Sequence, residues 1–200
     1  MSASASSREI YCGFEKGPLL VIDAHGGTTL DKLRNVLRIF SSRWCDCELV
    51  QEKGKYRTTG RHVLDIPAAS FAILDAALSP DAVCISESNY GIRCIELASG
   101  KQSWHHRSLG SNHVSYCSSD RNFYCVALVE TPARSCSLIR LAPNLLDCDR
   151  IAVLGPYCEA VFFESGNALV TARGEIYETT TGRLLNRLSF PQCEYPDSPP

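Results

Sequence analysis

The chain alternates short apolar runs with clusters of Ser, Pro, Asn, Asp and Gly, and the clearest stretch lies between Phe71 and His106. FAILDAAL, AVCISES, GIRCIEL and KQSWHH are four strand-length runs, and the turns Ser79-Pro80-Asp81 and Ala98-Ser99-Gly100 divide them. Proline presets the backbone angle of a turn, and runs this short between turn clusters are strand-like. The pattern predicts a four-stranded meander. It returns from Val114 as VSYC, NFYCVALV, CSLIRL and LLDCDRIAVL, and again from Cys158 as EAVFFE, ALVTAR, GEIYETT and RLLNRLSF.

The first turn of each unit opens with serine, at Ser79, Ser119 and Ser165, so the repeat measures 40 and then 46 residues. A glycine phrase recurs as well: Gly17-PLLVIDAH-Gly26, Gly91-IRCIELAS-Gly100 and Gly174-EIYETTT-Gly182. A phrase repeated at this period marks one supersecondary unit used many times. The first seventy residues are less regular. EIYCGFE, PLLVIDA and TTLDKL fit three strands, and NVLRIFSS, WCDCELVQE, KYRTTG and RHVLDIP fit four more. The competing reading is a helix near residues 29–41, because Leu30, Leu33, Val36, Leu37 and Phe40 fall at helical spacing behind Thr28 or Thr29.

ILDAALSPDAVCISESNYGIRCIELASGKQSW resembles a WD40-type blade, with its apolar strand, Ser-Pro-Asp turn, two further strands and Ser-Gly turn. Gly91-IRCIELASGKQSW is also similar to quinoprotein-like propeller repeats. No Trp-Asp ends the third strand and no Gly-His pair opens a unit, so the resemblance departs from the WD40 pattern at its most diagnostic positions. It implies an all-β chain folded as a β-propeller of about five four-stranded antiparallel blades, or a partial propeller. The expected blades are 9–35, 36–67, 70–107, 113–154 and 158–190, within a domain 9–190 flanked by disordered tails 1–8 and 191–200. Such small sheets cannot cover both faces alone, and stacking around an axis covers them.

Composition narrows the function without naming it. Hydrophobic residues make up 44% of 200, enough for a sizeable core. Twenty Lys and Arg against 22 Asp and Glu leave a net charge of -2, which offers no general attraction to nucleic acid or an anionic membrane. The 11 cysteines are odd in number, and Met1-SASASSRE has no apolar stretch of the kind that directs export. A reduced cytoplasmic or nuclear setting is therefore expected. Cys84, Cys94, Cys125 and Cys158 sit in predicted strands and read as small buried hydrophobes. Cys45-Asp-Cys47 and His105-His106 prompt a metal reading, but the spacing is too short for a zinc pair and no second pair matches it, so no metal or cofactor is expected.

Catalytic signatures are missing too: there is no G-x-S-x-G, phosphate loop, dinucleotide fingerprint or H-E-x-x-H. Asp23 and His25 share a strand face, and His105 and His106 beside Trp104 alternate, one buried and one wet. Asp75, Asp81, Glu87 and Glu96 form no visible pair, whereas a propeller glycosidase needs two carboxylates converging on the axis. The loops between second and third strands share one rim. They carry Lys16, Lys53, Tyr90, Arg134 and Arg173, and four of the five have a cation that suits an acidic or phosphorylated peptide. The expected function is a non-enzymatic scaffold presenting these loops to a protein partner; the alternative is an enzyme or small-ligand binder acting at the central channel.

Overall fold

The computed structural model describes residues 39–52, 55–69, 73–88, 90–107, 113–129, 135–141, 149–155, 159–163 and 165–188, together with the strand backbone at 2–3, 9–12, 19–23, 29–33, 36–38 and 111–112. Its strands form five antiparallel sheets, each from four strands consecutive in the chain. The first sheet holds β1 (Ser2–Ala3), β2 (Glu9–Cys12), β3 (Leu19–Asp23) and β4 (Thr29–Leu33). The second holds β5 (Val36–Ser41), β6 (Cys47–Glu52), β7 (Lys55–Gly60) and β8 (Asp65–Pro67). The third holds β9 (Ile73–Leu78), β10 (Ala82–Glu87), β11 (Gly91–Glu96) and β12 (Gln102–His106). β13 (Ser111–Cys117), β14 (Asn122–Val129), β15 (Ser135–Leu141) and β16 (Asp149–Gly155) make the fourth. β17 (Ala160–Phe162), β18 (Ala168–Thr171), β19 (Glu175–Glu178) and β20 (Leu184–Arg187) make the fifth.

The helical reading of residues 29–41 gives way to β4 and β5. The same apolar residues serve two strands because Val36 onward pairs with Glu52 back to Glu48, and tertiary pairing overrides a local periodicity. β1, paired with β2, falls inside the segment 1–8 read as a tail. Residues 191–200 lie outside the described residues. No helix among the described residues is long and apolar enough to cross a membrane.

The sheets are stacked as blades. The first strands touch in sequence, β1 with β5, β5 with β9, β9 with β13 and β13 with β17, which puts them on the axis side. Alternation sends each strand's side chains into two different interfaces. From the third blade, Val83, Ile85, Ile95 and Leu97 pack with Cys47, Leu49, Tyr56 and Ile66 of the second. Cys84, Ile92, Cys94 and Trp104 point the other way, onto Val114, Tyr116, Phe123 and Cys125 of the fourth. The fourth blade repeats the device, with Tyr124, Val126, Leu138 and Leu154 meeting Ala160 and Leu169 of the fifth. Strands buried on both sides explain why AVCISE and NFYCVALV lack polar alternation. Cys84, Cys94 and Cys125 are buried within these interfaces; Cys158 lies outside the described residues.

The glycine phrase also acquires a cause. Gly91, Gly100, Gly174 and Gly182 all have positive φ, at 103, 69, 77 and 69°. At Gly91 a Cβ atom would sit 2.2 Å from the carbonyl oxygen of His106, so glycine is needed for space as well as for backbone angle. Gly17 and Gly26 lie outside the described residues.

Candidate functional site

Because every blade starts on the axis side, the second halves of the first strands converge. They line a cavity of about 300 Å³ with Ser41, Asp75, His113, Tyr116, Val161 and Phe162 among its walls. Four blades contribute. The turn after β5 supplies the remaining wall through Ser42, Arg43 and Trp44. That turn opens with serine like the later three: Ser42 Oγ accepts from Trp44 N at 3.2 Å, and its carbonyl accepts from Cys45 N at 3.3 Å. In the third blade Ser79 Oγ likewise accepts from Ala82 N at 3.0 Å and donates to Ala82 O at 3.1 Å. Serine competes locally for backbone groups and so fixes such turns.

Arg43 and Trp44 hold the chemistry of this wall. The Arg43 guanidinium carbon stands 4.4 Å from the centre of the Trp44 ring, and the side chain is exposed. Beneath it, the Trp44 indole N–H is buried with no hydrogen-bond partner among the described residues. An unmatched buried donor costs on the order of 1–3 kcal/mol. Trp44 also forms part of the wall of a second cavity of about 230 Å³, bounded by Cys45, Asp46, Cys47, Arg61 and His62. The carboxylate of Asp75 is already engaged, accepting from Ala76 N at 2.9 Å and from Val114 N at 2.8 Å, and thereby ties the third blade to the fourth.

This architecture has a known counterpart. Among solved structures the chain is similar to the dihydro-heme d1 dehydrogenase NirN in complex with DHE, with a TM-score of 0.61 over 94% of this chain and 13% sequence identity. The fold is that of a β-propeller. The match takes in 46% of the NirN chain, so this chain spans less than half the length of that protein. No family model matches the chain, and no curated protein sequence does. At this identity the likeness concerns the fold alone.

Within the propeller, the residues singled out in the sequence occupy quite different places. Lys16, Lys53 and Arg134 lie outside the described residues. Tyr90 is half-buried: its ring stacks on His105 with centroids 4.2 Å apart, and its carbonyl oxygen lies 2.8 Å from His105 Nε2. Arg173 is exposed at the turn between β18 and β19, with its guanidinium packed over Gly155 of the neighbouring blade. His105 and His106 are both half-buried, contrary to one buried and one wet, because Tyr90 covers the first and Trp104 tilts against the second at 5.0 Å. Burial and the neighbouring His105 hold the His106 pKa below its usual value. Asp23 has only its strand backbone described, and His25 falls outside the described residues.

The four carboxylates separate as well. Among the described residues Asp75 is the one that reaches the axial cavity. Asp81 forms an exposed pair with Arg121 at 3.4 Å, and Glu96 accepts from Ser99 Oγ at 2.8 Å. Glu87 is fully buried between the second and third blades, 2.7 Å from Arg93 Nε, and accepts from Tyr56 Oη at 2.8 Å and Ala69 N at 2.9 Å. The Arg93 N–H is poorly aligned with Oε2, so that contact is an ion pair more than a directed hydrogen bond. Burial, then the bond to Glu87, pushes the Tyr56 hydroxyl well above the usual phenol range. The cluster is an inter-blade tie.

Cys45 and Cys47 adjoin each other, and burial followed by the Cys47 contact raises the Cys45 thiol to about 12. A thiol so hard to ionise is a poor nucleophile. No group of three or more His, Cys, Asp or Glu among the described residues is arranged to hold a metal ion. Sequence reasoning missed Arg43 and Trp44. The signal available was Ser42, one more serine-led turn, 37 residues ahead of Ser79.

Proposed function

We propose that the chain is a non-enzymatic binding propeller and that its axial cavity receives an acidic side chain or phosphoryl group from a protein partner. The observation that carries this reading is the pairing of an exposed guanidinium, Arg43, with a buried and unmatched N–H, Trp44 Nε1, on one wall of the cavity. An acceptor entering there meets the Arg43 guanidinium, and charge-assisted bonds to carboxylate or phosphate are the strong ones. Asp75, which lines the same cavity, keeps its negative charge while accepting from two backbone N–H groups, so the Arg43 guanidinium has to outweigh it for an acidic group to enter. Val161 and Phe163 add exposed apolar surface to the same walls, which suits a peptide better than a free anion. The serine-led turns and the positive-φ glycines support reading the blades as WD40-type.

The second reading is a small-ligand binder at the channel. It draws on the NirN complex, whose ligand belongs to that protein, and on a cavity of about 300 Å³ at the lower end of the range for ligand pockets. Fluorescence titration separates the two. The chain has two tryptophans, and Trp104 is buried in the core, so a Trp104→Phe background isolates the Trp44 signal. Short peptides bearing Glu or phosphoserine beside an aromatic residue are expected to produce a saturable change that Arg43→Glu abolishes and Arg173→Glu leaves intact. No change with any of these peptides, or an equal change in Arg43→Glu, refutes the proposal. Loss in Arg173→Glu alone moves the partner to the opposite rim.

A further inference from the structure

The second cavity, of about 230 Å³, lies where two turns of the second blade meet Pro80 of the third. One turn joins β5 to β6 and carries Arg43 and Asp46; the other joins β7 to β8 and carries Arg61 and His62. Gly60 lets the two turns approach. Its φ is 86°, and a Cβ atom there would stand 1.9 Å from the carbonyl oxygen of Asp46, to which Arg61 N donates at 3.3 Å. Fully buried Thr58 fixes the second turn: its hydroxyl donates to His62 O at 2.7 Å and accepts from Leu64 N at 2.8 Å, and its N–H donates to Leu64 O at 2.9 Å. Backbone geometry thus sets where Arg61 and His62 stand.

Arg43 and Arg61 are both exposed and have no carboxylate partner among the described residues, whereas Arg57, Arg93, Arg121, Arg140, Arg183 and Arg187 each have one. The two cavities therefore differ in charge. In the axial one Asp75 offsets Arg43, while in the second Arg43 and Arg61 stand against Asp46, with His62 beside them. We infer, building on the peptide-binding role proposed above, that the second cavity is a phosphoryl subsite for the same partner segment, leaving the axial cavity to a carboxylate. A phosphorylated side chain carries a charge of about −1.5 to −2 at neutral pH and three acceptor oxygens, so it gains more than a carboxylate from a surplus of positive charge. Guanidinium groups grip it through paired N–H bonds. Arg43 and Trp44 border both cavities, so a segment seated in one brings its neighbouring residues to the other.

The test is a titration of Trp44 fluorescence in the Trp104→Phe background with a phosphoserine peptide, the same peptide with Glu in place of phosphoserine, and inorganic phosphate. The phosphoserine peptide is expected to bind roughly tenfold more tightly than the Glu peptide, with inorganic phosphate far weaker than either. Arg61→Gln is expected to erase that advantage and leave the Glu peptide's affinity as it was. Arg61→Lys, which keeps the charge but not the fork, retains part of it. Phosphorus NMR of the phosphopeptide reads the group directly: its resonance shifts with the wild type and not with Arg61→Gln, whose circular dichroism stays that of the wild type. Equal affinity for the two peptides, or an advantage that survives Arg61→Gln, overturns the inference. Inorganic phosphate as tight as the phosphopeptide overturns it too, by making the site one for a free anion. A Glu peptide that binds through Arg43 while phosphoserine gains nothing sinks this inference alone; failure of both peptides sinks it together with the proposed function.

Discussion

Replacing Arg93 with methionine is expected to strip the charge from a buried pair while keeping most of the side-chain volume. In the wild type Glu87 has no exposed surface and gathers Arg93, Tyr56 Oη and Ala69 N, while Arg93 also donates to Pro67 O at 2.7 Å. Arg93→Met removes the Arg93 counter-charge from a buried carboxylate whose described remaining donors are Tyr56 and Ala69, and breaking a buried pair in this way costs about 3–5 kcal/mol. For a chain of this size each kcal/mol lowers Tm by about 2–4 °C, so a fall of roughly 6–20 °C is expected.

Adding Glu87→Gln should recover more than half of that loss. The amide keeps an acceptor for Tyr56 and Ala69 while removing the stranded charge, so the two substitutions are coupled. Glu87→Gln alone is destabilising, because it strands Arg93 instead. Urea denaturation of the wild type, both single variants and the double variant closes the cycle. An Arg93→Met variant within about 1 kcal/mol of wild type, or a double variant as unstable as the sum of the singles, refutes the claim that this pair locks the second blade to the third.

Three further outcomes can be measured on the same material. Gly91→Ala is expected to lose on the order of 1–3 kcal/mol or more from its backbone angle and the clash with His106 O, and more than Gly100→Ala, whose added methyl meets only the Leu64 side chain at 3.5 Å; thermal melts rank them. Because the folded pKa of His106 is lowered, the fold favours the neutral ring: its contribution is complete above the unfolded value of about 6.5 and declines as pH falls toward the folded value. His106→Gln should therefore flatten the stability profile below neutrality, and an unchanged slope contradicts the assignment. Tyr56→Phe removes one bond to a charged acceptor and should cost about 1.5–3 kcal/mol in urea denaturation, a loss that falls to about 0.5–1.5 kcal/mol when Glu87 is also changed to Gln, because the amide still accepts but carries no charge.

Blade layout was legible because it is local. Serine-led turns and glycines at strand starts are set by backbone chemistry within a few residues, and they put β9 to β20 close to where the runs of apolar residues did. The helical alternative at 29–41 was a genuine ambiguity: five apolar residues satisfy either period, and pairing of β5 with β6 decides it. The cationic rim was read from loop composition alone, which says nothing of what a side chain touches. Tyr90 turns out to lie against His105 within its own blade.

The amino-acid order by itself determined the repeat, the turns and the strand character of most of the chain, since each depends on contacts a few residues apart. Only the tertiary structure decided that Arg43 and Trp44 line a cavity with Asp75 and His113, that Glu87 is an inter-blade tie, and that Val161 of the last blade is left exposed. These properties join residues tens of positions apart through the stacking of blades. Nothing in a neighbouring stretch of sequence distinguishes a covered row such as Ala77, Cys84, Cys94 and Trp104 from Val161, which the fold leaves exposed.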